Sequence, residues 1–166
     1  MTIEKTTAIS NKYRILTSDK ITKVFFYNNP DILKKFLIKA LDLNLDYEKS
    51  TIEFKNIFFP PTTMNEYLKT ADFVVVINKN IIVNIEFNNM PFKSVKNRNY
   101  IYLSKVVSLL LISGEKPKNF SNYQIYQLNL NASPIDGKKG CREIKNIYID
   151  NYEIYLPNVK IYEINL

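Results

Sequence analysis

Two β-type runs joined by a short turn constrain the fold of this chain more than any other feature. The first run, ADFVVVI, covers residues 71–77, and the second, IIVNIEF, covers residues 81–87. β-Branched and aromatic residues at alternating positions favour strands. Asn78, Lys79 and Asn80 separate the runs, and asparagine tolerates the left-handed backbone that a tight turn needs. The segment therefore predicts an antiparallel hairpin.

The hairpin predicts a pair of acidic residues. If the turn centres on Lys79, Ile77 lies opposite Ile81, and counting outward places Asp72 opposite Glu86. The Cβ atoms of directly opposed residues lie roughly 4.5–5.5 Å apart. Two carboxylates at that distance repel each other, and in a partly buried cleft a shared divalent cation or a raised pKa relieves the repulsion.

The side chains of the hairpin divide into two faces because strand residues alternate. Asn84 and Asn88 flank Glu86 on one face. The opposite face is apolar and comprises Phe73, Val75, Ile77, Val83, Ile85 and Phe87. One interpretation of the polar face is simple solvation, as in many antiparallel hairpins. Val74, Val76 and Ile82 share that face near the turn, which favours burial instead.

The rest of the chain predicts a mixed sheet flanked by helices. Residues 30–43, PDILKKFLIKALDL, and residues 94–112, SVKNRNYIYLSKVVSLLLI, have the apolar spacing and length of helices, and Gly114 is a suitable stop for the second. Further β-type segments are predicted at 47–61, 122–130, 143–150, 152–157 and 159–166. This order predicts a single α/β domain over residues 1–166, with a polar arm at residues 1–16.

Composition restricts the chemistry. The chain has no histidine and one cysteine, Cys141, which excludes Ser-His-Asp and Cys-His catalysis and the usual structural zinc sites. Carboxylates that work at neutral pH without histidine most naturally hold Mg²⁺ or Mn²⁺. The net charge of +7 favours a polyanion as partner. An A/T-rich genome would also encode many Lys, Asn, Ile and Tyr residues, so charge alone leaves that partner open.

The sequence predicts a cytoplasmic protein without a membrane partner. Its first residues, MTIEKTTAISNKYR, are too polar for a secretory signal. The longest apolar run, VVSLLLI at residues 106–112, is far shorter than the ~20 residues that span a bilayer.

The hairpin resembles that of the PD-(D/E)XK nuclease superfamily, in which a metal-binding Asp starts one strand and the next strand carries E-x-K. The chain is more closely similar to the recombination-promoting nuclease and putative transposase family, the YhgA-like group, in which Gln usually replaces that Lys. Residues 17–43 resemble the family's opening segment and first helix, residues 98–115 its Arg-x-x-x-Tyr helix ending in Gly, and residues 123–130 a following strand. The resemblance implies a restriction-endonuclease-like core.

The resemblance also implies roles for residues of the hairpin. Asp72 and Glu86 would bind the metal, with the carbonyl of Phe87 as a further ligand. Asn88 stands where Lys or Gln would position the attacking water. Asparagine is one methylene shorter than glutamine and lacks the positive charge of lysine, so the chain departs from the family pattern at this position.

Basic residues after the hairpin are the predicted contacts to DNA. Arg98, Tyr102 and Lys105 share one helix face by their spacing, and such a face can grip a phosphate or the carboxylate site. Lys93 and Lys96 lie just downstream of Asn88 and are candidates to reach back and compensate for it. The alternative for the helix face is an ordinary solvated stripe.

Three functions stay open at this point. The first is a metal-dependent DNA endonuclease of the recombination-promoting type. The second is a catalytically degenerate nuclease fold that binds nucleic acid or a protein. The third is a structural domain whose β segments after Tyr123 pair between chains, for example in a homodimer.

Overall fold

The computed structural model describes residues 19–55, 58–59, 69–70, 73–89, 94–112, 114, 116–133, 137 and 139–165. Its helices are α1 (Asp19–Asn28), α2 (Pro30–Ala40) and α3 (Val95–Ile112), followed by a 3-10 helix at Pro117–Asn122. Its strands are β1 (Ile52–Lys55), β2 (Phe58–Phe59), β3 (Lys69–Thr70), β4 (Phe73–Ile77), β5 (Ile81–Asn88), β6 (Gln124–Asn131), β7 (Gly140–Ile144) and β8 (Val159–Asn165).

The centre of the molecule is a six-stranded mixed sheet in the order β1-β4-β5-β6-β8-β7. Strands β1, β4 and β5 pair antiparallel, β5, β6 and β8 pair parallel, and β7 pairs antiparallel with β8 at the edge. The parallel pair β5–β6 requires a crossover, and α3 lies within it. The predicted mixed sheet with helices is confirmed. Strands β2 and β3 form a separate two-stranded sheet.

The predicted hairpin is confirmed with its register. Ile77 pairs with Ile81, and the pairing extends along the two strands to Phe73 and Ile85. Asn78 and Lys79 both have the left-handed backbone expected of the turn, with φ of 50° and 68°. The side-chain Oδ1 of Asn78 accepts a hydrogen bond from the backbone N–H of Thr51 at 2.9 Å, which ties the turn to the start of β1.

Each face of the sheet is covered by one helix. Helix α2 packs Leu33 and Leu37 on the apolar face of the hairpin, and both leucines are fully buried. Helix α3 packs Leu103 and Val106 on the opposite face, against a cluster that includes Val74, Ile82, Ile125 and Val159. The hairpin is therefore buried on both sides, as the apolar residues near its turn indicated. In the described ranges, each helix is too short or too polar to cross a bilayer.

Two predicted strands are wrong. The sequence predicted strands at residues 143–150 and 152–157, but β7 ends at Ile144, and only a single bridge joins Ile147 to Ile154. The chain reverses between these residues, where Tyr152 has a left-handed φ of 59° and its backbone N–H donates to the Tyr148 carbonyl at 2.9 Å. Apart from Glu143 and Ile144, which end β7, the two segments therefore meet each other instead of joining the sheet.

The two N-terminal helices differ from the prediction. Helix α2 ends at Ala40 and not at residue 43, since Asp42 has a left-handed φ of 49°. Helix α1 was not predicted. Its apolar residues Ile21, Val24 and Phe25 are largely exposed, so they do not follow the pattern of a buried helical stripe. The predicted arm at residues 1–16 lies outside the described residues.

Candidate functional site

The polar face of β5 is buried, so the interpretation as a solvated strand is wrong. Asn84, Glu86 and Asn88 are 0%, 1% and 4% exposed. Helix α3 covers this face, and its apolar residues contact the sheet near the hairpin turn. A buried carboxylate is costly unless hydrogen bonds or opposite charge compensate it. The surroundings of Glu86 therefore determine what this face does.

The polar face continues onto two more strands that the sequence analysis did not connect to the site. The residues in question are Gln127, Asn129 and Asn131 on β6, and Glu163 and Asn165 on β8, all at most 3% exposed. Glu86 lies in register with Asn129 and Glu163, and Asn88 lies in register with Asn131 and Asn165. The alternation of polar and apolar residues in YQLNLN was the available signal, but it does not reveal which strands are neighbours.

One group of hydrogen bonds surrounds Glu86. The Nδ2 of Asn84 donates to the Oε1 of Gln127 at 2.7 Å and lies 3.4 Å from the Oε1 of Glu86. The Nε2 of Gln127 in turn donates to the Oδ1 of Asn129 at 2.7 Å. These amides fix the wall of the site next to the carboxylate of Glu86.

A second group of hydrogen bonds runs from α3 to β8 through Asn88. The Nη2 of Arg98 donates to the Oδ1 of Asn88. The Nδ2 of Asn88 donates to the Oδ1 of Asn131 at 2.7 Å, and the Nδ2 of Asn131 donates to the Oδ1 of Asn165 at 2.7 Å. We call these four residues the amide row. Both ends of the Asn88 amide are engaged within it.

Helix α3 brings the predicted basic residue Arg98 to the site. Arg98 contacts Asn88, and its guanidinium carbon lies 6.0 Å from the centroid of the Tyr102 ring, within range of a cation–π contact. Tyr102 and Lys105 are half-buried, and Lys96 is exposed in the first turn of the helix. Arg98 is thus the predicted phosphate contact that the structure brings to the hairpin. Lys93 lies outside the described residues.

The structure describes two of the three predicted metal ligands, Glu86 and Phe87. Asp72 lies outside the described residues, immediately before β4. Phe87 packs its ring in the core, 6.1 Å from the ring of Phe73, and pairs with Leu130 across the parallel strands. Within the described ranges, no three acidic, His or Cys side chains gather into a metal-holding group. The carboxylate of Glu86 and the amide oxygen of Asn84 are hard oxygen ligands, which suit Mg²⁺ and Mn²⁺.

A second buried acid lies on the same face. Glu163 is 2% exposed and forms an ion pair through its Oε2 with the Nη2 of Arg142, which comes from the edge strand β7. The two residues are also cross-strand partners in the register. Because this carboxylate already has a cationic partner, we infer that Glu163 stabilises the pairing of β7 with β8 and is not a metal ligand.

The layer between α3 and the sheet contains polar atoms without partners. Asn99 is 3% exposed, and neither its Oδ1 nor its Nδ2 has a hydrogen-bond partner among the residues that the structure describes. The same is true of the Oδ1 of Asn84 on the facing strand. Asn99 lies on α3 between Arg98, which contacts Asn88, and Leu103, which packs near Ile82. It therefore faces the sheet at a level between these two contacts.

Asn99→Leu is expected to stabilise the protein by about 1–2 kcal/mol, because a buried amide without partners costs desolvation free energy that an apolar side chain of the same branched shape does not. The measurement is the free energy of unfolding in urea. The matched control is Asn97→Leu, at an exposed position on the same helix, where a change within about 0.5 kcal/mol is expected. A loss of stability in Asn99→Leu would show that the amide has a partner, such as a bound water.

Among the residues that the structure describes, the opposite side of the sheet carries the phenols of Tyr126, which is buried, and Tyr162, which is half-buried. Burial raises the pKa of Tyr126, and the nearby charge of Glu143 raises it further. The same two causes, with burial the larger, raise the pKa of Tyr162 to about 12. Both phenols therefore stay protonated at neutral pH and do not serve as bases. A cavity of about 290 Å³ lies beside Tyr126 and Lys160, at the end of β6 opposite to Asn131.

Comparisons with known proteins leave the family open. Models of protein families give no match to this sequence, and neither curated proteins nor solved structures give a significant one.

Proposed function

We propose that this chain is a metal-dependent DNA endonuclease domain of the recombination-promoting type, with a restriction-endonuclease-like core. The observation that carries the proposal is Glu86, a carboxylate buried on the inner face of a hairpin and placed two residues before the amide that holds Arg98. A buried acid beside amides, with a guanidinium held two residues further along the strand, is a suitable place for a divalent cation and a phosphate.

The arrangement of elements supports the same proposal. The hairpin β4–β5 leads into α3, and α3 leads into β6, which is the order that the resemblance implies for the segments around the motif. Glu86 and Asn88 lie near the carboxyl end of β5, and the first turns of α3 bring Arg98 to that end. Ligand sites of α/β proteins commonly lie at the carboxyl ends of parallel strands.

In the proposed site, Asp72 and Glu86 hold the metal, and the carbonyl of Phe87 is a further ligand. When bound, Mg²⁺ or Mn²⁺ would polarise the scissile phosphate and lower the pKa of a water molecule, so that no histidine is needed. Arg98 neutralises charge on the phosphate through its N–H donors. The net charge of +7 draws the DNA backbone to the protein.

Cleavage of supercoiled plasmid DNA tests the proposal. With purified protein and either Mg²⁺ or Mn²⁺, nicked or linear plasmid is expected, and EDTA should prevent its formation. The preparation must be checked with the Asp72→Ala variant, because a contaminating nuclease would cleave equally well in its presence. Intact plasmid with both metals would overturn the proposal.

A second candidate is a degenerate nuclease fold that only binds nucleic acid, and the engagement of Asn88 favours it. Its Oδ1 accepts from Arg98 and its Nδ2 donates to Asn131, so this amide is held in place by the protein and lacks the positive charge of a lysine in that position. This candidate predicts DNA binding that weakens steeply with salt and survives Asp72→Ala, without metal-dependent hydrolysis.

A further inference from the structure

The amide row has a single direction. Arg98 donates to Asn88, Asn88 donates to Asn131, and Asn131 donates to Asn165. A guanidinium has donors and no acceptor, so its contact with Asn88 requires that the oxygen of this amide point toward the helix. Each following amide then has its oxygen toward the previous residue and its nitrogen toward the next. The charge at one end therefore orders the whole row.

The row is also held on a rigid base. Asn88, Asn131 and Asn165 lie in register on three adjacent parallel strands and are 4%, 0% and 3% exposed. Reversing one buried amide would break its bonds with both neighbours, and each unsatisfied buried group costs about 1–3 kcal/mol. Hydrogen bonds in such a chain also polarise one another. The orientation of Asn88 is therefore coupled to that of Asn165, two strands away.

Arg98 is the one member of the row that is exposed. A guanidinium has five N–H donors, so the bond to Asn88 leaves donors for a phosphate oxygen. Its planar fork suits phosphate. Anchored at Asn88, it lies at the same end of β5 as Glu86.

We propose that Asn131 and Asn165 are positioning residues that act through Asn88 to hold the guanidinium of Arg98 beside the site as the cation for the scissile phosphate. This inference rests on the proposed function. Asn88 then has a different role from the Lys or Gln whose place it takes. It anchors a cation supplied by the helix and does not position water itself.

Cleavage kinetics of Asn131→Leu test the inference. Leucine keeps the branched heavy-atom shape of asparagine without its hydrogen-bonding atoms, and it breaks the row in its middle. The kcat for cleavage of a plasmid or duplex oligonucleotide is expected to fall about 10- to 100-fold, because the phosphate loses a preorganised donor. The kcat of Arg98→Ala should be about 100-fold below that of the wild type, and Arg98→Lys should recover part of that loss. The double variant Asn131→Leu with Arg98→Ala should be no slower than Arg98→Ala alone, since Asn131 acts through Arg98.

The matched control is Gln127→Leu, which removes a buried amide from the same strand and face but outside the row. It should lose stability to a similar extent. Gln127 lies beside Glu86 and its variant can itself be slower, so the control compares the effect of Arg98→Ala with and without Gln127→Leu, which should be the same. Additive losses in the double variant, or full activity in Arg98→Ala, would overturn the inference.

A measurement without DNA separates this inference from the proposed function. In ¹⁵N NMR spectra, the guanidinium N–H signals of Arg98 should show restricted rotation in the wild type and free rotation in Asn131→Leu and Asn165→Leu. If the wild type cleaves no DNA but the Arg98 signals respond in this way, the nuclease assignment fails while the positioning by the row is upheld. If the signals are the same in all three proteins, the row does not position Arg98, whatever the activity.

Discussion

Glu86→Gln is expected to reduce metal-dependent cleavage of plasmid DNA by about 10²–10³-fold. Glutamine keeps the shape of the side chain and its contact with Asn84, but it lacks the negative charge that a divalent cation requires. Because glutamine has nearly the size of glutamate, the variant should still fold. The measurement is the initial rate of nicking with Mg²⁺ and with Mn²⁺, at equal concentrations of folded protein.

The control for this experiment is Glu163→Gln, which neutralises the other buried acid on the same face. Glu163 is paired with Arg142 and is not a proposed ligand, so its variant should keep the wild-type rate. Equal losses in both variants would mean that cleavage reports the general stability of the polar face. Wild-type activity in Glu86→Gln would remove Glu86 from the proposed metal site.

Arg142→Ala is expected to lower the free energy of unfolding by about 3–5 kcal/mol, because it leaves the carboxylate of Glu163 buried without its cation. The side chain of Glu163 is 2% exposed, so in the wild type its charge is compensated mainly by protein groups. Urea unfolding at pH 7, followed by circular dichroism, measures the loss. Adding Glu163→Gln to Arg142→Ala should restore much of the stability, since the uncompensated charge is then gone.

An exposed ion pair provides the comparison for Arg142. The pair of Lys55 with Glu53 lies on β1, where the two side chains are 45% and 65% exposed. Lys55→Ala should therefore cost at most about 1 kcal/mol. A loss as small as this in Arg142→Ala would show that the Glu163 carboxylate finds other compensation in the folded protein.

Local sequence patterns were sufficient for the hairpin. The pairing of Ile77 with Ile81 and of Phe73 with Ile85 depends on residues at most 12 positions apart, and the turn residues fix the count. The same period of two assigned Asn84, Glu86 and Asn88 to one face, where the structure places them. The spacing on α3 likewise put Arg98 and Tyr102 on one side of a helix. Such patterns are reliable because the backbone geometry of one element sets them.

The same patterns failed where distant segments compete for partners. Residues 143–157 are rich in Ile and Tyr and were predicted to form two strands, yet most of them lie outside the sheet. Strand preference describes how well a residue suits a pleated surface, and it does not provide a neighbouring strand. Helix α1 was missed for a related reason, since its exposed apolar residues give no one-sided stripe.

The sequence by itself determined the hairpin, its register, the polar face with Glu86 and the absence of histidine from any site. Only the tertiary structure decided that this face is buried and that it extends to Asn131 and Glu163. The hydrogen bond from Asn88 to Asn131 joins residues 43 positions apart, and the ion pair of Arg142 with Glu163 joins residues 21 apart. These contacts form because of the order of strands in the sheet. That order depends on how α2 and α3 bury the two faces of the sheet, and no single segment of the chain specifies this packing.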